Sequence, residues 1–201
     1  VGLYDIKFKF ANLNLAEKWV LPLTIVDGPG YDANPRKNYR KALLRVMPYN
    51  DYSGPYAATN MDVYIEDNTS PMTSDKRTMY VVSENQCFFY AGVISEELIE
   101  REKYKVILTF NEDGTIDAAP ADPDNEMEFE LTGEATYTTS VTKDETLPYI
   151  EHHYTIVYMS YKYKDVTTYE NYKINYRANG NMLMQRDINI LVPEQDQIQW
   201  E

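Results

Sequence analysis

Residues 172–190, which read YKINYRANGNMLMQRDINI, decide how this chain folds. Asn179-Gly180 is a typical turn of a tight β-hairpin, in which the chain would reverse its direction. The pattern of apolar side chains argues against a reversal, because the even positions on both sides of the turn are apolar or glycine, with Arg186 as the exception. The apolar residues at these positions are Tyr172, Ile174, Tyr176, Ala178, Met182, Met184, Ile188 and Ile190.

A two-residue hairpin loop would spoil this apolar face. It would place Ile174 opposite Gln185, since a one-residue change of register turns every side chain of a strand to the other face. Two arrangements keep the even positions together: one long strand that bends at Gly180, or a hairpin with a three-residue loop. We favour the long strand, because glycine inside a strand often marks a bend and because barrels and curved sheets need such bends.

Short strands separated by turns are predicted through the rest of the chain. The clearest signals are LYDIKFKF (3–10), KWVLPLTIVD (18–27), RKALLRVMPY (40–49), AATNMDVYIED (57–67), KRTMYVVSENQCFFYAG (76–92), KYKVILTFNEDGTIDAAP (103–120), YTTSVT (137–142) and HHYTIVYMSYKYKDV (152–166). Residues 111–114 form a good hairpin turn, and residues 50–58 form a turn-rich junction. Pro22 indicates a strand edge or a bulge. This pattern is typical of an all-β sandwich or barrel.

Two segments carry more specific predictions. Ser95, followed by Glu96 and Glu97, predicts a short helix with a serine N-cap and acidic side chains in its first turn. Residues 126–131 alternate glutamate with Met127, Phe129 and Leu131, which predicts a half-buried strand whose glutamates face water.

The sequence divides at about residue 50. Residues 1–49 contain too few strands to enclose a core and resemble the last strands of a sandwich. Residues 50–201 contain enough for a domain of their own. We therefore expect a C-terminal remnant of a β-sandwich at 1–49 and a β-barrel-like domain at 50–201. The chain begins VGLYD, without methionine or signal peptide, and is interpreted as a piece of a longer precursor.

Charge excludes some classes of partner. The formal net charge is −13, and no cluster of lysine and arginine is present, so neither nucleic acid nor an anionic membrane surface is expected to bind. Residues 106–142 contain no lysine or arginine but nine acidic residues, a distribution that attracts cations. No apolar run approaches the roughly 20 residues of a membrane-spanning helix.

Motifs for catalysis or cofactor binding are missing. The sequence has no GxGxxG, GxxxxGK, GxSxG, HExxH or CxxC. His152 and His153 are adjacent, so on a strand they point to opposite faces and cannot share a metal. Cys87 lies in an apolar run and reads as a buried structural thiol. Residues 122–126 space three acidic side chains as calcium loops do, but without the glycine and distal glutamate, so we expect a solvated turn. We predict no enzyme, cofactor or metal.

Tyrosine provides the only candidate binding residues. The chain has 19 tyrosines, a residue that favours strands. Tyr161 and Tyr163 share a strand face with Met159, and Tyr169 follows in the next turn. Aromatic rings suit the apolar faces of sugars, so these three tyrosines are the predicted ligand-binding residues. The alternative is a cross-strand cluster that only stabilises the sheet.

Four stretches resemble a known family: AEKWVLPLTI, NDYSGPYAA, KRTMYVVSENQCFFYAGVI and the tail from residue 172. They are similar to exported lipoproteins of gut Bacteroidetes that pair an immunoglobulin-like domain of unknown function with a β-rich C-terminal domain, often encoded in polysaccharide-utilisation loci. The resemblance implies export and a place on the outer-membrane surface or in the periplasm. Membrane attachment would use only a lipid anchor, which this chain lacks.

Together these features predict an all-β protein. Its main domain is expected to be a lipocalin-like (calycin) antiparallel barrel or strongly curved sheet, preceded by the last strands of an immunoglobulin-like sandwich. The resemblance implies a non-catalytic module that assists glycan binding, with a polysaccharide or outer-membrane glycan-uptake proteins as partners. A scaffold for a partner protein is the alternative. A hydrolase would need a cleft with two converging carboxylates. Tyrosine and methionine are expected to fill the barrel interior.

Overall fold

Two separate β-sheets make up the computed structural model, which describes residues 13–14, 16–17, 19–26, 28–30, 41–45, 48–124 and 126–192. The chain divides into two compact units, Val1–Tyr49 and Asn50–Glu201. In the first unit, β1 (Val20–Thr24) pairs antiparallel with β2 (Lys41–Arg45), and Pro22 lies opposite Leu43. The strand predicted in LYDIKFKF lies outside the described residues. That this unit is a sandwich remnant stays a prediction.

The described residues of the second unit form ten strands. They are β3 (Gly54–Ala57), β4 (Met61–Ile65), β5 (Lys76–Ser83), β6 (Gln86–Tyr90), β7 (Lys105–Phe110), β8 (Thr115–Pro120), β9 (Glu130–Leu131), β10 (Ala135–Lys143), β11 (Ile150–Asp165) and β12 (Ile174–Asn189). Eight of these form an antiparallel barrel in the order β3-β5-β6-β7-β8-β10-β11-β12. The barrel closes where Leu183 of β12 pairs with Ala57 of β3. The short strands β4 and β9 add to β12 and β11. The predicted calycin-like barrel is confirmed.

The stretch around Asn179-Gly180 forms one strand. β12 runs through Asn179-Gly180 and pairs with β11 along its whole length. Gly180 has a φ of +146°, and a Cβ built there would lie 2.0 Å from the carbonyl oxygen of Asn60. At this point the other edge of β12 changes its partner, from β4 at Gly180 to β3 at Leu183. The long strand is confirmed, and its glycine admits the turn between β3 and β4.

Side chains fill the barrel. The inward faces of β11 and β12 carry large apolar groups at alternate positions, as the periodicity predicted. Fully or almost fully buried residues of these and the neighbouring strands include Tyr56, Met79, Phe89, Leu108, Phe110, Val157, Met159, Ala178, Met182 and Met184. Cys87 is also buried as predicted, and burial raises the pKa of its thiol to about 12. The interior is therefore a packed core.

The helix predicted from Ser95 is wrong. Residues 92–100 form turns, followed by one short 3-10 helix, Arg101–Tyr104. The Glu96 carboxylate accepts hydrogen bonds from the backbone N–H of Thr78 at 2.8 Å and the hydroxyl of Tyr80 at 2.9 Å, both in β5. These bonds to a distant strand replace the local bonds that a helix would have made, so tertiary structure overrides the capping signal.

The strand predicted at residues 126–131 is shorter than expected. Only Glu130 and Leu131 pair with β11, because Glu128 has a φ of +48°, which an extended strand cannot contain. The alternation itself holds, since Met127 is buried and the glutamates are exposed. Ion pairs join these glutamates to lysines: Glu128 to Lys164, Glu130 to Lys162 and Glu126 to Lys173.

The junction predicted at residues 50–58 is part turn and part strand. Residues 51–52 make the turn, in which the Asn50 side-chain oxygen accepts from the Tyr52 N–H at 3.0 Å. β3 then begins at Gly54. The hairpin turn predicted at residues 111–114 is present between β7 and β8, where the Gly114 N–H donates to the Asn111 carbonyl at 3.0 Å.

Candidate functional site

The loop between β11 and β12, residues 166–173, presents two exposed tyrosines. Tyr169 is 59% exposed and Tyr172 is 57% exposed. Together with Glu170 and Asn171 they line a shallow, open depression of about 550 Å³. We call residues 169–172 the tyrosine loop.

Asp165 fixes the start of this loop. Its carboxylate is buried at the end of β11 and accepts hydrogen bonds from the hydroxyl of Tyr104 at 2.6 Å and the backbone N–H groups of Thr167 at 2.9 Å and Thr168 at 3.1 Å. Burial by itself raises the pKa of Asp165. The hydrogen bonds, led by those from Thr168 and Tyr104, outweigh burial and lower the pKa to about 2. An ionised Asp165 therefore holds the first turn of the loop.

Glu66, at the end of β4, fixes the far side of the loop. Its carboxylate accepts the Tyr172 hydroxyl at 2.9 Å, the Asn175 N–H at 3.0 Å and the Asn175 side-chain amide at 3.2 Å. These bonds, first the one from the Asn175 backbone, lower the pKa of Glu66, and the same contact raises the pKa of Tyr172. Because the hydroxyl is held, the orientation of the Tyr172 ring is fixed.

The tyrosine loop places two exposed aromatic rings beside polar side chains. Aromatic rings offer flat apolar faces, and the Asn171 amide and Glu170 carboxylate can exchange hydrogen bonds with hydroxyl groups. A loop that is ordered before binding loses less entropy when a ligand arrives. Glu170 contributes a carboxylate to the lining, and the Glu66 carboxylate is bonded to the Tyr172 hydroxyl.

The three predicted binding residues have different positions. Tyr161 and Tyr163 are 2% and 1% exposed and belong to the barrel core. The Tyr161 hydroxyl accepts the Gly92 N–H at 2.9 Å, and burial raises the pKa of Tyr161 to about 12. Burial also raises the pKa of Tyr163. Neither ring can stack on a ligand at the outer surface, so Tyr169 alone of the three is placed to do so.

Sequence reasoning missed Tyr172 as a site residue. Its even position grouped it with the apolar face of β12, but that strand begins at Ile174, and Tyr172 already belongs to the loop. The available signal was the tyrosine spacing in TTYENY, which puts two aromatic rings on one short turn.

The two histidines have separate partners. His152 lies between two carboxylates, with Nδ1 2.7 Å from Asp187 and Nε2 3.1 Å from Asp144, and the hydrogen bond to Asp187 is the main cause that raises the pKa of His152. His153 pairs with Glu151 instead. Within the part of the chain that the structure describes, no three His, Cys, Asp or Glu residues are grouped to hold a metal ion.

No described helix has the length and apolar character to cross a membrane.

Comparisons with known proteins agree with this architecture. A family model described as "-like, C-terminal" matches residues 40–183, and a model for a domain of unknown function, DUF4973, matches residues 1–29. A search of curated proteins finds no match.

Several solved structures share the fold. A multidomain protein including DUF1735 from Bacteroides ovatus is 43% identical with a TM-score of 0.84, and the match covers 96% of this chain and 66% of that one. A second Bacteroides ovatus protein, of unknown function, is 45% identical with a TM-score of 0.85 and the same coverage. An auxiliary nutrient binding protein from Bacteroides thetaiotaomicron is 34% identical with a TM-score of 0.80, and the match covers 94% of this chain and 64% of that one.

The chain thus spans 64% to 66% of the length of these Bacteroides proteins. The family match covers most of the barrel, and the solved structures extend the likeness to nearly all of the chain. The chain belongs to the family of C-terminal domains whose model matches its residues 40–183.

Proposed function

We propose that this chain is a non-catalytic module of an exported nutrient-binding protein, and that its tyrosine loop binds glycan. The observation that carries the proposal is the pair of exposed rings, Tyr169 and Tyr172, on a loop held at both ends by Asp165 and Glu66. The similarity to an auxiliary nutrient binding protein supports a role in nutrient capture.

The remaining parts of the proposal come from the sequence. The module acts without cofactor, does not bind nucleic acid, and reaches the membrane only through a lipid anchor on the longer protein. Its place is the outer-membrane surface or the periplasm, next to glycan-uptake proteins. The net charge of −13 supports the exclusion of nucleic acid, because phosphate backbones repel a surface without basic clusters.

Glycan binding is tested with the longer exported protein on a polysaccharide array, followed by calorimetry on the glycans that bind. Tyr169→Ala should weaken binding on the order of tenfold, which corresponds to about 1.4 kcal/mol. Tyr172→Phe keeps the ring and loses the bond to Glu66, so it should have a smaller effect. Tyr49→Ala removes a tyrosine that is 58% exposed in the other unit and serves as the control.

Two outcomes would overturn this proposal. One is the absence of binding to every polysaccharide at millimolar sugar concentration. The other is equal affinity of the Tyr169→Ala variant and the parent protein. Release of new reducing ends from a bound polysaccharide would contradict the non-catalytic assignment.

A scaffold function is the second candidate, and one surface feature supports it. The turn before β11 and the residues after β12 expose apolar side chains next to each other, because the Ile190 N–H donates to the Tyr149 carbonyl at 2.9 Å. The exposed side chains are Leu147, Tyr149, Ile190, Leu191 and Val192. Such patches mark contacts with other proteins. If this function is correct, Leu191→Asp should reduce co-purification with outer-membrane uptake proteins and leave glycan affinity unchanged.

A further inference from the structure

The outer face of β10, β11 and β12 carries a patch without charges. Three rows of three residues face outward across these strands: Thr136, Tyr158 and Asn181; Thr138, Ile156 and Leu183; Ser140, Tyr154 and Gln185. The core lies behind them, since the alternate residues Val157 and Met182 are buried. We call these nine residues the neutral patch.

The neutral patch stands out because a quarter of the chain, 25% of its residues, is charged and the net charge is −13. Charged rows border it at both ends. His152 and Asp187 form one border, and Lys162 and Arg177 form the other, with the uncharged pair Ser160 and Asn179 before it. Charge is thus confined to the borders.

Two tyrosines mark the middle strand of the patch. Tyr154 and Tyr158 are four residues apart on β11, about 13 Å along the strand, with Ile156 between them. Tyr158 is 40% exposed, and Tyr154 and Ile156 are half-buried. Hydroxyl and amide groups lie on the flanking strands at Thr138, Ser140 and Gln185, all exposed. Flat tyrosine rings that lie between uncharged hydrogen-bond donors and acceptors suit a polymer that has many hydroxyl groups and no charge.

The small area of the neutral patch favours a single polysaccharide chain over a protein as its ligand. Three rows on three strands cover roughly 14 by 20 Å, or about 280 Å². A stable protein interface buries about 800 Å² on each partner. The neutral patch alone is too small for that, but it can hold several sugar units of a chain lying along β11.

We propose that the neutral patch is a second glycan contact, and that it takes an uncharged, unbranched polysaccharide aligned with β11. The inference rests on the proposed function, since it assumes that the protein binds glycan. The inference adds that the glycan is uncharged. The negative field of the chain would repel an acidic polysaccharide, since the patch has no basic group to neutralise the negative charge of that ligand.

The test is affinity electrophoresis and calorimetry of the longer exported protein with two sets of polymers. The neutral set contains hydroxyethyl cellulose, xylan, mannan and amylose, and the acidic set contains polygalacturonate and hyaluronate. We expect retardation by a neutral polymer only. Tyr158→Ala should weaken polymer binding on the order of tenfold and leave binding of a disaccharide at the tyrosine loop unchanged.

Thr138→Arg is the second variant, because it covers an exposed edge of the patch without removing a packed side chain. Tyr49→Ala, which removes an exposed tyrosine outside the patch, is the control. Thermal unfolding verifies that each variant is folded. The inference is overturned if Tyr158→Ala and Thr138→Arg bind polymer like the parent, if only acidic polymers bind, or if both variants lose a co-purifying protein and keep polymer affinity.

The results separate the two proposals. If Tyr169→Ala weakens binding and the patch variants do not, the tyrosine loop stands and the patch fails. If the patch variants weaken binding and Tyr169→Ala does not, the patch stands and the tyrosine loop fails.

Discussion

Single residues decide how the strands of this barrel meet. Gly180 lies where one edge of β12 stops pairing with β4 and begins to pair with β3. Its φ of +146° lies in a region that residues with a Cβ rarely adopt. The space is closed as well, because backbone atoms of Asn60 and Met61 lie within 3.0 Å of a Cβ built there. The glycine is required by both conformation and packing.

We therefore expect Gly180→Ala to lower the free energy of unfolding by roughly 3 kcal/mol, from backbone strain and the clash with Asn60. Gly133 is the matched control, since it has no atom within 4 Å of the added methyl group and no positive φ. Gly133→Ala should change stability by less than about 0.5 kcal/mol. Urea unfolding monitored by fluorescence measures both, and equal stability of the two variants would contradict the account.

His152 provides a pH-dependent contact at the outer end of β11. Because the carboxylates of Asp187 and Asp144 raise its pKa, its stabilising effect is fully present below the pKa of an ordinary histidine and disappears as the pH rises through the folded value. His152→Asn should therefore lower the melting temperature more at pH 5.5 than at pH 8.5. His153→Asn, which leaves His152 between its two carboxylates, is the comparison. A decrease in melting temperature that is equal at both pH values would contradict a pH-dependent contact of His152 with its carboxylates.

At the scale of elements, loops owe their shape to side chains from distant strands. The tyrosine loop depends on Tyr104, whose hydroxyl donates to Asp165 and accepts the Val166 N–H at 2.9 Å. Glu96 and Glu102 tie residues 92–104 to tyrosines of β5 and β6 in the same way. Hydrogen bonds from tyrosine hydroxyls to carboxylates therefore recur in this fold and hold these loops against the strands.

Tyr104→Phe should loosen the tyrosine loop. The change leaves the Val166 N–H without its partner, removes one of the hydrogen bonds that the buried Asp165 accepts, and should cost about 1–3 kcal/mol. Hydrogen exchange at residues 166–168 should become faster, and glycan affinity should fall. Tyr90→Phe removes a comparable bond, from Tyr90 to Glu102 at 2.7 Å, and should destabilise the protein without changing exchange in the loop. Unchanged exchange in the Tyr104 variant would show that Asp165 holds the loop by itself.

Sequence periodicity predicted the strands well, because burial of one face repeats every second residue in β7, β11 and β12. It could not predict the segment from Ser95, since the partners of Glu96 lie on β5. It also placed Tyr161 and Tyr163 on one face correctly, but periodicity does not say that this face is the closed interior of a barrel. The neutral patch was equally hidden, because its residues meet only through strand register.

At the scale of the molecule, the barrel is closed by a single described pair, Ala57 and Leu183. Directly opposed residues of antiparallel strands are close enough for a disulfide. Closure joins two strands that are far apart in the chain and gives every barrel strand two neighbours.

An Ala57→Cys, Leu183→Cys variant should therefore form a disulfide on mild oxidation. The oxidised protein should be more stable than the reduced one by about 2–4 kcal/mol, because the bond closes a long loop in the unfolded chain. Cys87 is buried and should stay reduced. Mass spectrometry of peptides identifies the bond, and urea unfolding with and without reductant measures its effect. Failure to form the bond would show that β3 and β12 are not paired in this register.

Closure by β12 has a consequence for biosynthesis. The chain is synthesised, and in the proposed export also translocated, from its N-terminus, so β3 emerges early and keeps one edge unpaired until Leu183 follows. During this interval the growing sheet offers exposed strand edges to other nascent chains. A holding chaperone that covers β3 until residue 183 has emerged would raise the yield of native protein.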